Sequence, residues 1–306
     1  MRRKYLLTVI GPTAIGKTAL SIQLARHFGC DILSCDSRQF YKEMTIGTAV
    51  PEPDELAAAT HHFIHHKSIF DSYTVGDFEK EAITKLDELF ATNDFAVLVG
   101  GSGLYVDAVL KGFDDFPEVD ESARAGLTQK YQSEGIAFLQ TELQKRDPDY
   151  FAIVDTDNPQ RMMRALEVCV STGLPYSTFL KQKKNTRNFT PIIIGLDAER
   201  PTIYDRINRR VDLMMRAGLL EEARALYPHR ELNALQTVGY RELFDYFDGN
   251  VTLDFAVSEI KKNTRRFAKR QLTWFKRTEN ARWFDYRENP ARIAEFVEEK
   301  VREMQS

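Results

Sequence analysis

The residues with the clearest chemical potential lie near the N-terminus, in the stretch GPTAIGKT from Gly11 to Thr18. This stretch fits G-x-x-x-x-G-K-[ST], in which glycines allow successive backbone N–H groups to turn toward a phosphate. Lys17 adds a positive charge, and Thr18 is placed to ligate Mg²⁺. An apolar run, Tyr5–Ile10, precedes the loop and a helical pattern follows it. We therefore predict a phosphate-binding loop between a strand and a helix.

A second candidate is Asp36, which follows the short apolar segment Asp31–Ser34. We predict that this segment is a buried strand, so that Asp36 lies at the same sheet edge as the phosphate-binding loop. Ligands of open α/β sheets bind at that edge. Asp36 is therefore a candidate general base or magnesium partner. Its other interpretation is a turn residue, because Asp-Ser is favourable turn chemistry.

The next predicted buried strand, Phe95–Val99, ends differently from its counterpart in nucleotide hydrolases. Those enzymes hold magnesium with an aspartate at this point, whereas this chain continues as GGSGLY, Gly100–Tyr105. Two glycines and a hydroxyl suit a close approach of the backbone to a ligand. This difference weakens the hydrolase interpretation, and a small-molecule kinase with Asp36 as its base remains an alternative.

The elements around these residues alternate between strand-like and helix-like segments. This pattern predicts an α/β fold with a P-loop NTPase-like parallel sheet flanked by helices. Further strands are expected at Pro191–Leu196 and Ala281–Tyr286. Residues 113–188 contain helical periodicity and polar turns, which predict an inserted all-helical domain. Residues 1–112 and 189–306 would then form the α/β catalytic core.

The long helix predicted after Asn250 carries both an apolar stripe and a basic face. Ile260, Phe267 and Trp274 recur every seven residues, and we expect this stripe to face the core. Between Lys261 and Arg277 there are eight basic residues and no acidic one. Although the chain has a net charge of −3, this asymmetry favours binding of an anionic polymer to one face.

Composition limits the remaining possibilities. No apolar run in the 306 residues approaches the ~20 residues of a membrane span, so we expect no membrane partner. The three cysteines form no pairing or zinc pattern and fit a reducing cytoplasm. Nothing in the sequence demands an oligomer, and we expect a monomer.

Six of these stretches, taken together and in order, resemble the tRNA dimethylallyltransferase family, also called the tRNA isopentenyltransferases. They are GPTAIGKT, DSRQFY with IGTA (Ile46–Ala49), GGSGLY, NPQRMMRALEV (Asn158–Val168), VGYREL (Val238–Leu243) and KRQLTWFK (Lys269–Lys276). The resemblance spans nearly the whole chain. It departs from the family at Ser102, where threonine is common; the hydroxyl is retained.

The resemblance implies a reaction and two substrates. The phosphate-binding loop would hold dimethylallyl diphosphate rather than ATP, and the prenyl group would pass to N6 of the adenosine just 3′ of the tRNA anticodon. Diphosphate would leave, Mg²⁺ would be the cofactor, and the helical insertion would grip the anticodon stem. Because the target base must leave its stack, we expect a flipped adenine in a channel.

The resemblance also implies roles for individual residues. Asp36, Thr13, Lys17 and Arg210 would be catalytic, with Asp36 accepting or orienting the N6 hydrogen and Thr18 binding the metal. The diphosphate would be bound by Gly11, Pro12, Thr13, Ala14, Ile15, Gly16, Lys17 and Thr18. The tRNA would be contacted by Asp36, Ser37, Arg38, Gln39, Ser102, Arg124, Gln160, Arg161, Met162, Met163, Arg164, Thr237, Val238, Gly239, Tyr240, Arg241, Lys269, Arg270, Gln271, Leu272, Thr273, Trp274, Phe275 and Lys276.

Two other classes of function remain open from the sequence. One is the phosphate-loop kinase, which leaves the basic helix and the insertion without a role. The other is a non-catalytic tRNA-binding protein or nucleotide switch, which leaves Asp36 without a role beside the loop.

Overall fold

The fold is described from a computed structural model, which covers residues 3–114, 116–117, 119–180 and 187–305. Two compact units are present: Met1–Lys111 with Arg187–Ser306, and Gly112–Thr186. Among the described residues, none of the helices is both long and apolar enough to cross a bilayer.

The larger unit is built on a parallel sheet. Its six strands are β1 (Tyr5–Ile10), β2 (Ile32–Ser34), β3 (His61–His62), β4 (Phe95–Val99), β5 (Thr190–Asp197) and β6 (Arg282–Asp285). They lie in the order β3-β2-β4-β1-β5-β6, and every neighbouring pair is parallel. The predicted parallel α/β sheet is confirmed, and the carboxyl ends of all six strands meet at one edge.

The helices follow the chain in this order: α1 (Lys17–Phe28), α2 (Pro53–Ala58), α3 (Val75–Thr92), α4 (Gly103–Lys111), α5 (Glu121–Glu134), α6 (Ile136–Arg146), α7 (Pro148–Phe151), α8 (Pro159–Thr172), α9 (Arg200–Arg216), α10 (Leu219–Leu226), α11 (Tyr240–Phe247), α12 (Leu253–Phe275) and α13 (Pro290–Gln305). Short 3₁₀ turns lie at Tyr176–Phe179, Tyr227–His229 and Asn233–Leu235. Helices α5–α8 belong to the smaller unit, and the others belong to the larger one.

Strand β1 lies at the centre of the sheet because every one of its side chains is apolar or small enough to be buried. Tyr5, Leu7 and Val9 pack into a core that includes α1 and α13 residues, whereas Leu6 and Ile10 pack into a second core on the opposite face. A strand buried on both faces is a near-continuous apolar run, as YLLTVI is.

A third core joins helices α9–α12 beside the carboxyl edge of the sheet, and it includes Val211, Leu219, Tyr240 and Ile260. The smaller unit has a core of its own, formed by Leu127, Leu139, Leu143, Met162, Ala165 and Leu166. In the larger unit, therefore, a helical subcluster adjoins the edge at which the phosphate-binding loop begins.

Candidate functional site

The phosphate-binding loop connects the carboxyl end of β1 to the first turn of α1. Gly11 has a φ of 148°, and a Cβ at this position would lie 2.6 Å from the carbonyl oxygen of Leu196 in β5. Gly16 has a φ of 110° and caps α1. Both positions require glycine, since side chains rarely adopt these conformations and at Gly11 there is no room for one.

Lys17 turns back over this loop. Its Nζ donates hydrogen bonds to the carbonyl oxygens of Gly11 at 3.0 Å and Pro12 at 2.8 Å. Burial lowers the pKa of Lys17 to about 8; the nearby charge of Asp36 opposes this shift and that of Arg210 adds to it. A nearby anion stabilises the charged form of an amine that has lost part of its hydration in this way.

Helix α9 brings two guanidinium groups to the loop, four residues apart on one helix face. Arg206 Nε donates to the carbonyl oxygen of Ala14 at 2.7 Å. The pKa of Arg210 is lowered, mainly by burial and also by the charge of Arg206. Arg210 was predicted as a site residue. Arg206 is not among the predicted site residues, and its hydrogen bond to Ala14 supports the loop.

Asp36 follows β2 at the same edge. Its Oδ1 accepts a hydrogen bond from the backbone N–H of Arg38 at 3.2 Å. Burial raises the pKa of Asp36, and this effect outweighs the opposing influence of the Arg38 N–H, Lys17, Arg38 and Arg210. Asp36 is half-buried and close to two cations, and a carboxylate with a raised pKa in a cleft is a candidate proton acceptor.

A cavity of about 620 Å³, here called the central cavity, opens in front of these groups. Thr13, Asp36 and Arg210 give it a polar end. An apolar part of its wall is formed by residues from helices α9, α10 and α12, which are Ile207, Val211, Met214, Leu219, Ile260 and Phe267. The loops after β2 and β4 and the segments 47–49 and 236–239 also line it. Sequence patterns did not identify this wall, because its residues are indistinguishable from core residues before the helices are placed.

The apolar stripe of α12 faces this cavity, and the prediction that it faces the core is wrong for two of its three residues. Ile260, Phe267 and Trp274 all line the cavity, and Phe267 and Trp274 keep 38% and 39% of their surface exposed. The core side of this helix is formed instead by residues such as Ala268 and Phe275. Heptad spacing identifies an apolar face but not whether it meets a core or a cavity.

Gln271 on the same helix connects the two glycine-rich loops. Its Oε1 accepts from the backbone N–H of Thr13 at 2.8 Å, and its Nε2 donates to the carbonyl oxygen of Gly101 at 2.8 Å. This side chain is 5% exposed, so both bonds lie away from bulk water. Gln271 therefore fixes the position of Thr13 relative to the loop after β4.

The glycines of GGSGLY allow close packing inside the protein. A Cβ on Gly100 would lie 2.5 Å from Cys35 Sγ, and one on Gly101 would overlap Gln271 Nε2. At Gly103 the overlap would be with the Trp274 ring, whose Nε1 donates to Asp107 at 2.9 Å. Gly101 and Gly103 also line the central cavity, so the approach of a ligand to the backbone here stays a prediction.

Several residues predicted to contact tRNA lie at the central cavity. Ser37 and Ser102 are linked through their hydroxyls at 3.2 Å. The guanidinium of Arg38 donates to the carbonyls of Asn233 and Ala234, at 3.0 Å each. The predicted residues that line the cavity are Asp36, Ser37, Arg38, Ser102, Thr237, Val238, Gly239, Arg241, Arg270, Gln271 and Trp274.

Other predicted contacts are occupied by packing or pairing. Tyr240, Phe275 and Met162 are at most 1% exposed, so their side chains do not present a binding surface. Lys276 forms an ion pair with Asp197 at 2.8 Å and lies over the Trp283 ring. Gln39, by donating to the carbonyls of Thr48 and Ala49, supports a loop instead of facing outward.

In the smaller unit, Gln160, Arg161 and Arg164 are exposed on α8, and Arg124 is exposed on α5. Arg124 and Arg164 both approach Glu167, at 3.4 and 3.6 Å. Met163 packs partly against the core of this unit. The exposed face of α8 is therefore basic.

The chain is similar to characterised families along most of its length. The model of the IPP transferase family matches residues 39–278. The chain is 63% identical to the tRNA dimethylallyltransferase of Flavobacterium johnsoniae over 98% of this chain and 99% of the relative. It is 47% identical to tRNA dimethylallyltransferase 1 of Bacteroides fragilis, over 99% and 100%.

Solved structures give the same result. The tRNA isopentenylpyrophosphate transferase of Bacillus halodurans superposes with a TM-score of 0.73 at 39% identity, over 99% of this chain and 98% of that one. A eukaryotic dimethylallyltransferase that acts on tRNA superposes with a TM-score of 0.79 at 25% identity, over 92% of this chain and 74% of that one. The chain belongs to the IPP transferase family, together with the tRNA dimethylallyltransferases.

Proposed function

We propose that this chain transfers a dimethylallyl group from dimethylallyl diphosphate to N6 of the adenosine 3′ to the anticodon of a tRNA. The observation that carries this proposal is the composition of the central cavity, in which Thr13 of the predicted phosphate-binding loop, the Arg210 guanidinium and the half-buried Asp36 carboxylate meet an apolar wall. Lys17 lies in the same loop and interacts electrostatically with Asp36 and Arg210. The family relatives are named for this activity.

The polar end of the cavity suits the diphosphate leaving group. Breaking the allylic C–O bond leaves negative charge on the diphosphate, and preorganised donors stabilise charge that develops in a transition state. Arg210 supplies positive charge there, and Lys17 supplies it from the adjoining loop. Burial disfavours the charged form of each of them, so an anion bound nearby would stabilise that form. The Thr13 N–H is already bonded to Gln271, so the loop's other N–H groups are the donors for phosphate.

The oxygen donors beside the loop also fit Mg²⁺, which prefers hard oxygen ligands and substrate phosphates. Thr18, in the first turn of α1, would hold the ion. The Asp36 carboxylate belongs to the same group of charges, because it interacts electrostatically with Lys17 and Arg210. When bound, the ion would neutralise charge on the diphosphate.

Asp36 would receive the proton that N6 loses. As the bond between N6 and the allylic carbon forms and the C–O bond breaks, one N6 proton passes to the carboxylate and diphosphate leaves. The exocyclic amine of adenine is a weak nucleophile, and an adjacent base compensates for this. The raised pKa of Asp36 favours this role, because a general base is most effective when its pKa is near the pH at which the enzyme works.

The remaining surfaces suit the tRNA. The apolar wall can receive the dimethylallyl group and the face of a flipped adenine, because nucleotide-modifying enzymes extrude their target base. The exposed Lys269 and Arg270 on α12, and Arg161 on α8, are suited to the phosphate backbone. We expect the enzyme to be a monomer, and its three free, buried cysteines support a cytoplasmic location.

The test is a prenyl-transfer assay with labelled dimethylallyl diphosphate and unmodified tRNA, run beside an ATPase assay. Wild type should transfer the prenyl group and hydrolyse little ATP. Lys17→Ala should lower transfer by orders of magnitude, whereas the control Lys300→Ala, an exposed lysine paired with Glu303, should not. Substrate-stimulated ATP turnover without prenyl transfer would contradict the proposal and favour the kinase.

A further inference from the structure

Glu222, in the first turn of α10, lies outside every motif of the sequence and yet joins two of them. Its Oε2 accepts hydrogen bonds from the backbone N–H groups of Thr45 at 3.0 Å and Ile46 at 2.8 Å. Its Oε1 accepts from the N–H of Gly47 at 2.9 Å and from the hydroxyl of Tyr240 at 2.6 Å. Three successive N–H groups and a phenol thus converge on one carboxylate.

The two segments that it joins both line the central cavity. Gly47, Thr48 and Ala49 contribute to one part of the wall, and Thr237, Val238 and Gly239, directly before Tyr240, contribute to another. The segments also touch each other, since a Cβ on Gly47 would lie 2.6 Å from the Tyr240 ring. The missing side chain of Gly47 and the buried ring of Tyr240 set the separation of the two segments, and Glu222 holds them there.

Other contacts make the 45–49 loop dependent on this carboxylate. The loop turns through Ala49, which has a φ of 52°, a conformation that is unfavourable for alanine. Thr48 Oγ1 donates to the Met44 carbonyl at 2.6 Å, and Gln39 donates to the carbonyls of Thr48 and Ala49. These contacts occupy the carbonyl groups of the loop, whereas Glu222 occupies its N–H groups. Successive N–H groups of this kind form a concave binding site for an anion, which here is a side chain of the same protein.

We infer that Glu222 is a positioning residue for the tRNA substrate, which fixes the part of the cavity wall that the target nucleotide must pass. The inference rests on the proposed function. We expect Glu222 to act on one substrate and not on the other. Of its four partners, Gly47 lines the cavity, Thr45 and Ile46 directly precede the wall segment Gly47–Ala49, and Tyr240 directly follows the wall segment Thr237–Gly239. None of the four belongs to the predicted phosphate-binding loop.

The test uses Glu222→Gln, which keeps the size of the side chain. An amide offers one acceptor oxygen and turns an NH₂ donor toward groups that are themselves donors. Backbone N–H groups cannot accept from this NH₂, whereas the Tyr240 hydroxyl can turn and accept from it. At least one of the four hydrogen bonds is therefore lost in either orientation of the amide, and two are lost where the NH₂ faces Thr45 and Ile46. The KM for an unmodified anticodon stem–loop should rise about tenfold, equivalent to ~1.4 kcal/mol. The KM for dimethylallyl diphosphate should remain unchanged.

Three comparisons separate this role from a general loss of stability. Glu221→Gln, at the exposed neighbouring position, should leave both KM values unchanged. Val297→Ala, in the sheet core away from the cavity, should lower the melting temperature without changing the ratio of the two KM values. Tyr240→Phe should raise the KM for the stem–loop in the wild-type background, and its effect in the Glu222→Gln background should be smaller, because the effects of changing two bonded partners are not additive.

A second readout needs no activity. In Glu222→Gln the backbone amides of residues 45–47 should exchange with solvent faster than in wild type, while those of β1 should not. An unchanged KM for the stem–loop, or a rise in both KM values in equal proportion, would overturn the inference. Wild type that transfers no prenyl group would instead overturn the proposed function, so the two failures are distinguishable.

Discussion

The contact between Gly101 and Gln271 can be tested by adding one methyl group. The φ of Gly101 is not in the left-handed region, so alanine fits the backbone there, but its Cβ would overlap Gln271 Nε2. Gly101→Ala therefore has to displace the Gln271 side chain. Both hydrogen bonds of that side chain, to Thr13 N–H and to Gly101 C=O, would then be lost together.

The expected loss of folding stability is large for a substitution that adds one methyl group. Crowding a packed interior costs about 1–3 kcal/mol, and each buried backbone group left without a partner costs about 1–3 kcal/mol. We expect Gly101→Ala to lower the free energy of unfolding by about 3–9 kcal/mol, a substantial part of the ~5–15 kcal/mol typical of a folded protein. Gln271→Ala removes the same two bonds without crowding and should lower it by about 2–6 kcal/mol.

The double variant distinguishes this explanation from others. With Gln271 truncated, the new methyl meets only Asp36 Oδ2 at 3.9 Å, an ordinary contact. Gly101→Ala with Gln271→Ala should thus be about as stable as Gln271→Ala alone. Urea unfolding followed by tryptophan fluorescence measures this, since Trp274 and Trp283 both lie in the larger unit. Gly76→Ala, where a Cβ meets Thr74 Oγ1 at 3.7 Å, is the neutral control. Additive costs for the two single variants would refute the reasoning.

Three further predictions concern the proposed reaction. The kcat/KM should fall as pH rises through about 8, where Lys17 loses its charge. Lys17→Arg should remove this decrease at alkaline pH, because arginine stays charged. The same decrease in that variant would exclude Lys17 as its source. Asp36→Asn should slow single-turnover transfer by about 10²–10⁴-fold while tRNA affinity changes little; a variant that kept most of its activity would show that Asp36 only positions the amine. Replacing Lys269 and Arg270 by alanine should flatten the slope of log tRNA affinity against log salt concentration by about 0.7–0.9 per phosphate contact. Lys276→Ala should change this slope less, because Asp197 already neutralises that lysine. Equal slopes for wild type and the double variant would assign Lys269 and Arg270 to a solvated surface.

The strands and the polar end of the site could be predicted from the sequence because both depend on local patterns. YLLTVI, followed by a glycine loop and a helix, specifies the position of Lys17 without reference to the rest of the chain. Asp36 could be placed beside it because the carboxyl ends of parallel strands share one edge. Helix α13, which follows the last strand, was not predicted.

The cavity wall and the supports of the loops could not be predicted, because they depend on contacts between distant residues. Periodicity placed Phe267 and Trp274 on one face of α12, but only the positions of α9–α11 make that face a cavity wall. Gln271 and Glu222 carry no local signal, since a single glutamine or glutamate on a helix is usually exposed. Tyr240 lies in a motif that resembles a binding motif, and yet its ring packs against Gly47.

The central position of β1 has a consequence for the order in which the protein is made. Residues 5–10 leave the ribosome early, but one of their two neighbouring strands, β5, consists of residues 190–197. Until those residues are synthesised, β1 has an open edge, the form of strand most prone to join another chain. The acceptor for Thr13 N–H follows later still, at Gln271. A nascent chain therefore carries the complete phosphate-binding sequence long before it carries the cavity. Its N-terminal half is therefore exposed to pairing with other chains during translation, and the ability to accept both substrates arises only when synthesis is almost finished.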